Sequence, residues 1–153
     1  LLGATLLGTA IWLVSIIGVQ TGLLNAGGGA ERLSWRTFDE SAVAAEVAAG
    51  RSVFVDVTAD WCLTCQANKK LVLDQDPVAA RLQGAGIVAM KADWTNPDPV
   101  IAAFLERHGR YGIPFNIVYG PAAPEGIPLP ELLTDADVLA ALDQAGARPN
   151  AQQ

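Results

Sequence analysis

The chain has 153 residues, 51% of them hydrophobic, with a net charge of −6 and only two cysteines. Its acidic residues are scattered and no basic patch with interleaved aromatics occurs, which argues against a nucleic-acid partner; the acidity serves solubility. Two cysteines and one histidine are too few for a four-ligand structural zinc site.

Residues 1–24 contain no charged side chain. A bilayer core needs about 20 apolar residues, so this stretch is expected to be a transmembrane helix. A secretory signal would show a basic start and a shorter apolar run, and a buried helix of a soluble protein seldom lacks a polar face over this length. Ala4 with Gly8, and Gly18 with Gly22, are spaced for close helix packing, although glycine is common in membrane helices in any case. The first residue is Leu1 rather than methionine, so the chain is expected to be part of a longer protein. Residues 25–33, opening with Asn25-Ala26-Gly27-Gly28-Gly29-Ala30, read as a flexible linker. Residues 34–147 are expected to form one domain, and residues 148–153 a disordered tail.

Within that domain helices and strands alternate. Residues 38–49 place Val43 and Val47 on one helical face, with Asp39 or Ser41 as N-cap and Gly50 as terminator. Residues 52–58 are β-branched and apolar, as a strand buried on both faces requires. A helix is expected over 62–73, stopped by Asp74-Gln75-Asp76-Pro77, then a short one over 77–82 with Pro77 at its first position. Residues 87–92 read as a second buried strand. Asn96-Pro97 is expected to cap a helix carrying Ile101, Phe104, Leu105 and His108 on one face. His108 then falls at the helix end, where it complements the dipole rather than serving as ligand or base. Residues 115–119 read as a third strand, 120–126 as a turn, and 127–129 as an edge strand that tolerates Pro128. Thr134 or Asp135 caps a last helix through Val138, Leu139 and Leu142. The order implies an α/β fold, a mixed central sheet with helices on both faces.

The chemistry is concentrated in Trp61-Cys62-Leu63-Thr64-Cys65, directly after the strand of residues 52–58. A strand-to-helix junction puts Cys62 at a helix N-terminus, where unpaired N–H groups and the dipole favour the thiolate, the form that attacks a disulfide. Cys65, one turn on, can resolve the mixed disulfide that results. A structural disulfide over three residues would close almost no loop and gain little. The arrangement reads as a thioredoxin-like redox site. Asp56 lies in the middle of the apolar strand; burial should raise its pKa and suit it to accept and return the proton of thiol exchange. Ile113-Pro114 opens the third strand. An X-Pro bond is the one place where a cis peptide is inexpensive, though sequence alone favours trans. Ala-Asp-Trp occurs at 59–61 and again at 92–94, with nothing matching around it, and reads as coincidence.

Val55-Asp56-Val57-Thr58-Ala59-Asp60-Trp61-Cys62-Leu63-Thr64-Cys65 together with Gly112-Ile113-Pro114 resembles thioredoxin-like domains. More closely, the chain resembles the C-terminal part of the DsbD family of thiol:disulfide interchange proteins, in particular its ScsB-like branch, associated with copper tolerance. Lys91-Ala92-Asp93-Trp94-Thr95 and Gly109-Arg110-Tyr111-Gly112-Ile113-Pro114-Phe115-Asn116 fit that branch as well. The resemblance implies a thioredoxin-like domain after a last transmembrane helix. It implies a cis Pro114 packed against the disulfide, with the Ile113 backbone offered to an incoming strand, and Asp56 as the buried proton acceptor. Some members carry a second acidic residue one turn after the second cysteine; here that position is Lys69, so tuning by two carboxylates is not expected.

The expected function is that of a membrane-tethered protein-disulfide reductase, with Cys62 attacking, Cys65 resolving, Asp56 moving the proton and the Trp61 ring forming a wall. No cofactor or metal is expected beyond the cysteine pair. Leu63 and Thr64 bring no positive charge to stabilise a thiolate, which points to the reducing direction, at roughly −200 to −270 mV. The resemblance implies electrons from a membrane-embedded dithiol upstream in the same polypeptide and a thiol-disulfide partner in the periplasm, on the outer face of a bacterial inner membrane. Arg32 and Arg36 after the apolar segment point weakly the other way. Two alternatives share the cysteines: a tethered thioredoxin-like reductase of cytochrome c maturation, and a copper-binding module. The copper reading needs a third ligand near the pair, and the sequence offers only Met90 and His108.

Overall fold

The computed structural model describes residues 32–146. In chain order these form Arg36–Thr37 (β1), Glu40–Ala48 (α1), Ser52–Thr58 (β2), Leu63–Asn68 (α2) continued by a π-helical turn Lys69–Leu73, Val78–Leu82 (α3), Ile87–Asp93 (β3), Pro99–Arg107 (α4), Phe115–Gly120 (β4), Ala123–Pro128 (β5) and Asp135–Gln144 (α5). The sheet order is β1-β3-β2-β4-β5. β1 and β2 run parallel to β3, while β4 is antiparallel to both β2 and β5. This is the mixed α/β sheet that the alternation of elements led us to expect.

Side-chain alternation on β2 divides the core in two. Val53, Val55 and Val57 face one way, onto Val43 of α1 and Ile101, Phe104 and Leu105 of α4. Phe54 faces the other way, onto Leu73, Val78, Leu82, Val138 and Leu142 from the π turn, α3 and α5. These side chains are almost wholly buried, each contributing about 1.5–3 kcal/mol of transfer free energy. Both faces of β2 are therefore covered, which is why its sequence is apolar throughout except at Asp56 and the terminal Ser52 and Thr58.

Helix starts follow local chemistry. Asp39 caps α1 by accepting from the N–H groups of Ser41 and Ala42, and Gly50, at φ 84°, adopts the left-handed turn that ends it. Glu46 of α1 pairs with Arg36 at 2.7 Å and with Arg51, joining the helix to β1 and to the turn before β2. Thr134 and Asp137 close a reciprocal capping box on α5.

Several expectations are corrected. The cap of α4 is Asp98, not Asn96: the Asp98 carboxylate accepts from the N–H groups of Val100 and Ile101, and Pro99 takes the first turn. Pro77 precedes α3 as its cap residue instead of opening it. The helix expected over 62–73 changes character at Lys69, where Asp74 N–H bonds to Lys69 O at 2.8 Å across five residues, and this wider turn buries Val72 and Leu73. The turn expected over 120–126 is confined to its first residues, because Ala123–Pro128 already pairs with β4. β1, only two residues long, carried no signal of its own.

The expected transmembrane segment, residues 1–24, lies outside the described residues, as does the tail 148–153. Among the described residues no helix is long and apolar enough to cross a membrane. Of the linker expected over 25–33, only Arg32 and Leu33 lie among the described residues, and both are tied to the domain. Arg32 bonds to Asp74 O and pairs with Asp76, and Leu33 is buried in the core.

Candidate active site

Cys62 is the N-cap of α2, with extended backbone (φ −88°, ψ 99°), and its Sγ accepts from Cys65 N–H at 3.2 Å. The two cysteines are joined by a disulfide, with S–S 2.09 Å and Cα–Cα 5.3 Å. In this oxidised state the two cysteines are almost equally buried, at 6% and 4% exposed. Both pack with Ala59 and with Ile113, which arrives from the loop before β4. The Ile113–Pro114 bond is cis, Pro114 is buried, and Ile113 packs against the cysteine cluster.

The segment that presents Cys62 is held by the loop after β3, a support the sequence reading missed. Asp93 Oδ1 accepts from both the N–H (3.0 Å) and the hydroxyl (2.6 Å) of Thr95. Thr95 Oγ1 in turn accepts from Asp60 N–H at 3.0 Å, and Thr95 O accepts from Trp61 Nε1–H at 3.2 Å. These bonds hold the Asp93 carboxyl below its ordinary range, chiefly through the Thr95 hydroxyl. Trp61 is thereby fixed at its ring nitrogen while the ring stays exposed beside Cys62. The first Ala-Asp-Trp triplet follows β2 and the second closes the parallel neighbour β3, so the two strand ends meet: Trp94 N–H bonds to Thr58 O at 2.7 Å. They are adjoining junctions, not a repeated unit.

Asp56 lies on the same face of β2 as Phe54, the face covered by the π turn, α3 and α5. Burial pushes its carboxyl up from 3.8 to about 6; the hydrogen bond from Asn116 and the positive charges of Lys69 and Lys91 oppose this in that order. Asn116 Nδ2–H donates to Asp56 Oδ1 at 2.8 Å. The register explains the encounter, since Asp56 stands opposite Lys91 on β3 and Asn116 on β4. The direction expected for Asp56 is therefore present. Asn116 was not anticipated, and the signal for it was a lone polar side chain in an otherwise apolar strand.

Asn68 is a second unanticipated anchor. Buried at the end of α2, it donates to Glu131 O at 2.7 Å and accepts from Leu133 N–H at 3.1 Å, tying the helix to the loop before α5. Glu131 also faces Arg110 at 3.6 Å, which brings that loop beside the one carrying Tyr111. Trp61, Leu63, Tyr111 and Leu132 are all exposed on the segments bordering the site.

Met90 and His108 are committed elsewhere. Met90 is fully buried on the opposite sheet face, and His108 packs against Phe104 and Phe115 there. His108 Nδ1 lies 2.8 Å from Phe104 O, which only accepts, so Nδ1 carries a hydrogen, and Nε2 is hydrogen-bonded with the Tyr119 hydroxyl at 3.0 Å. It is the C-cap residue of α4, the place the sequence assigned it.

Comparison with known proteins agrees with the geometry. The thiol:disulfide interchange protein DsbD 1 of Pseudomonas aeruginosa is 29% identical over 107 residues, covering 70% of this chain and 17% of that protein. DsbD of Ralstonia nicotianae is 35% identical over 80 residues, covering 52% and 13%. The chain thus spans less than a fifth of the length of these curated relatives. Among solved structures, the reduced C-terminal domain of Neisseria meningitidis DsbD superposes with a TM-score of 0.53 at 22% identity, over 72% of this chain and 99% of that one. A thioredoxin from Thermus thermophilus gives 0.56 at 25% identity, over 75% and 92%. A family profile described as thioredoxin-like matches residues 34–121, more than half of the chain, and the chain belongs to that family.

Proposed function

We propose that this domain passes reducing equivalents by dithiol–disulfide exchange, as a protein-disulfide reductase. The observation that carries the proposal is the Cys62–Cys65 disulfide capping the start of α2, with Ile113 packed on it. The relatives, thiol:disulfide interchange proteins by name, support it. In the reduced state the Cys62 thiolate attacks one sulfur of a partner disulfide; an S–S bond forms to Cys62 and the other partner sulfur leaves as a thiolate. Cys65 gives its proton to Asp56 and attacks Cys62 Sγ, which expels the second partner thiolate. Two electrons have then left the cysteine pair, and a dithiol donor restores them by the reverse steps. An apolar rim of Trp61, Leu63, Tyr111 and Leu132 suits a protein partner, with the Ile113 backbone pairing to its extended chain.

The wider setting rests on the sequence resemblance. The domain is tethered by residues 1–24 to a bacterial inner membrane and works on the periplasmic side. It takes electrons from a membrane-embedded dithiol in the same polypeptide and gives them to a periplasmic partner. The copper-binding reading gains nothing from the geometry, since Met90 and His108 are both held on the far face of the sheet.

The test is a trapping experiment with a disulfide-containing protein substrate. Cys65→Ala is expected to accumulate a mixed disulfide through Cys62, and Cys62→Ala is not. Trapping through Cys65 in the absence of Cys62, or no trapping by either variant, overturns the assignment.

A further inference from the structure

Asn116 is 1% exposed, and its amide has one bonded end and one unbonded end: Nδ2–H donates to Asp56 Oδ1 at 2.8 Å, while Oδ1 has no hydrogen-bond partner among the described residues. A buried acceptor left without a partner is costly, and such atoms are rare. The two ends of a side-chain amide have opposite character, one donating and one accepting. An ionised carboxylate only accepts, so the Nδ2–H end suits it. A protonated carboxyl also donates, and it needs an acceptor such as Oδ1. A half-turn about the Cβ–Cγ bond exchanges the two ends, and that torsion is broad and roughly two-fold in asparagine. The turn breaks no bond except the one to Asp56.

We propose that Asn116 is a positioning residue for proton transfer at the cysteine pair: its amide presents Nδ2–H to the Asp56 carboxylate and, after a half-turn, Oδ1 to the Asp56 carboxylic acid. The proposal rests on the reading of Asp56 as proton acceptor. When Cys65 is deprotonated its S–H bond breaks, an O–H bond forms on Asp56, and that hydrogen meets Oδ1. When the proton is returned the amide turns back. No electrons move in this step. The other charged groups facing Asp56 are Lys69, from the π turn after α2, and Lys91, from β3, and both favour the ionised form alone. Asn116 is the neighbour that can bond both forms, so neither state of the acid is left unpaired between half-reactions.

The experiment follows the reduced chain from about pH 5 to 9, where a raised carboxyl and a thiol titrate. In the unsubstituted protein, the side-chain amide nitrogen of Asn116 should titrate by NMR with the same midpoint as the Asp56 carboxyl carbon. Asn116→Leu, similar in branching at Cγ, should raise the Asp56 midpoint by less than about one pH unit, because both forms lose a bond and the ionised form loses the stronger one, and should slow exchange below that midpoint, with rates converging at high pH. Added to Asp56→Asn, it should change the pH profile no further. An amide silent through the Asp56 midpoint, or exchange below that midpoint unslowed in Asn116→Leu, overturns the proposal while leaving Asp56 as the base. A pH profile unaffected by Asp56→Asn removes the base and this proposal with it. If Asn116→Leu does not fold, the titration of the unsubstituted protein decides.

Discussion

Replacing Asp56 with asparagine keeps the shape of the side chain and removes its charge, and the structure sets the size of the effect. The folded carboxyl sits at about 6 against an ordinary 3.8, because burial outweighs the Asn116 bond and the Lys69 and Lys91 charges. At about 1.36 kcal/mol per pH unit, keeping it ionised costs the folded state about 3 kcal/mol at neutral pH. The folded carboxyl holds its proton more tightly than the unfolded one. Its contribution to stability is therefore fully present below pH 3.8, is lost as pH rises to about 6, and stays lost above that. Urea unfolding of the oxidised chain between about pH 4 and 8 reads this directly, without interference from free thiols. Asp56→Asn should match the parent near the acid end and exceed it by up to about 3 kcal/mol near neutrality. The same variant, reduced, should exchange thiols more slowly near neutral pH. Parallel stability curves for parent and variant would refute the reasoning, since the carboxyl could not then be a buried, destabilising charge.

Two further perturbations test the supports of the site. Thr95→Val removes the hydroxyl that joins Asp93 to Asp60 N–H; it should cost about 0.5–1.5 kcal/mol in urea unfolding and slow exchange, because the backbone leading into Cys62 loses its partner at Asp60. Asn68→Ala leaves Leu133 N–H and Glu131 O without their side-chain partner. It should cost about 1–3 kcal/mol in the oxidised protein by the same measurement, and an unchanged midpoint would show that the loop before α5 is held by other contacts.

Much of the site was legible because its signals are local. A cysteine at a strand-to-helix junction, a second one a turn later and a carboxyl in an apolar strand are all read within a dozen residues. The cis form of the Ile113–Pro114 bond came from family resemblance, since propensity alone favours trans. What escaped depends on distance in the chain. Asn116 gains its meaning only from the antiparallel register that sets it against Asp56, and Thr95 only from the parallel register that brings two loops together. The cap of α4 was misplaced because Asn96-Pro97 and Asp98-Pro99 carry the same signal two residues apart, and only the carboxylate of Asp98 reaches the free N–H groups. β5 was read too short because Pro124 and Gly126 suggest a turn, yet an outer strand bonded on one side accommodates both. The π turn has no sequence signature that we can identify.

The outermost strands govern how this sheet meets other chains. β1 offers two residues, too few to template a neighbour, and β5 includes Pro124 and Pro128, which have no N–H to give. Glu125 adds charge on the same margin. An open sheet margin gathers extended polypeptides indiscriminately. Among the described residues both margins are thus poor in free donors, which disfavours lateral pairing of the sheet with a neighbouring strand.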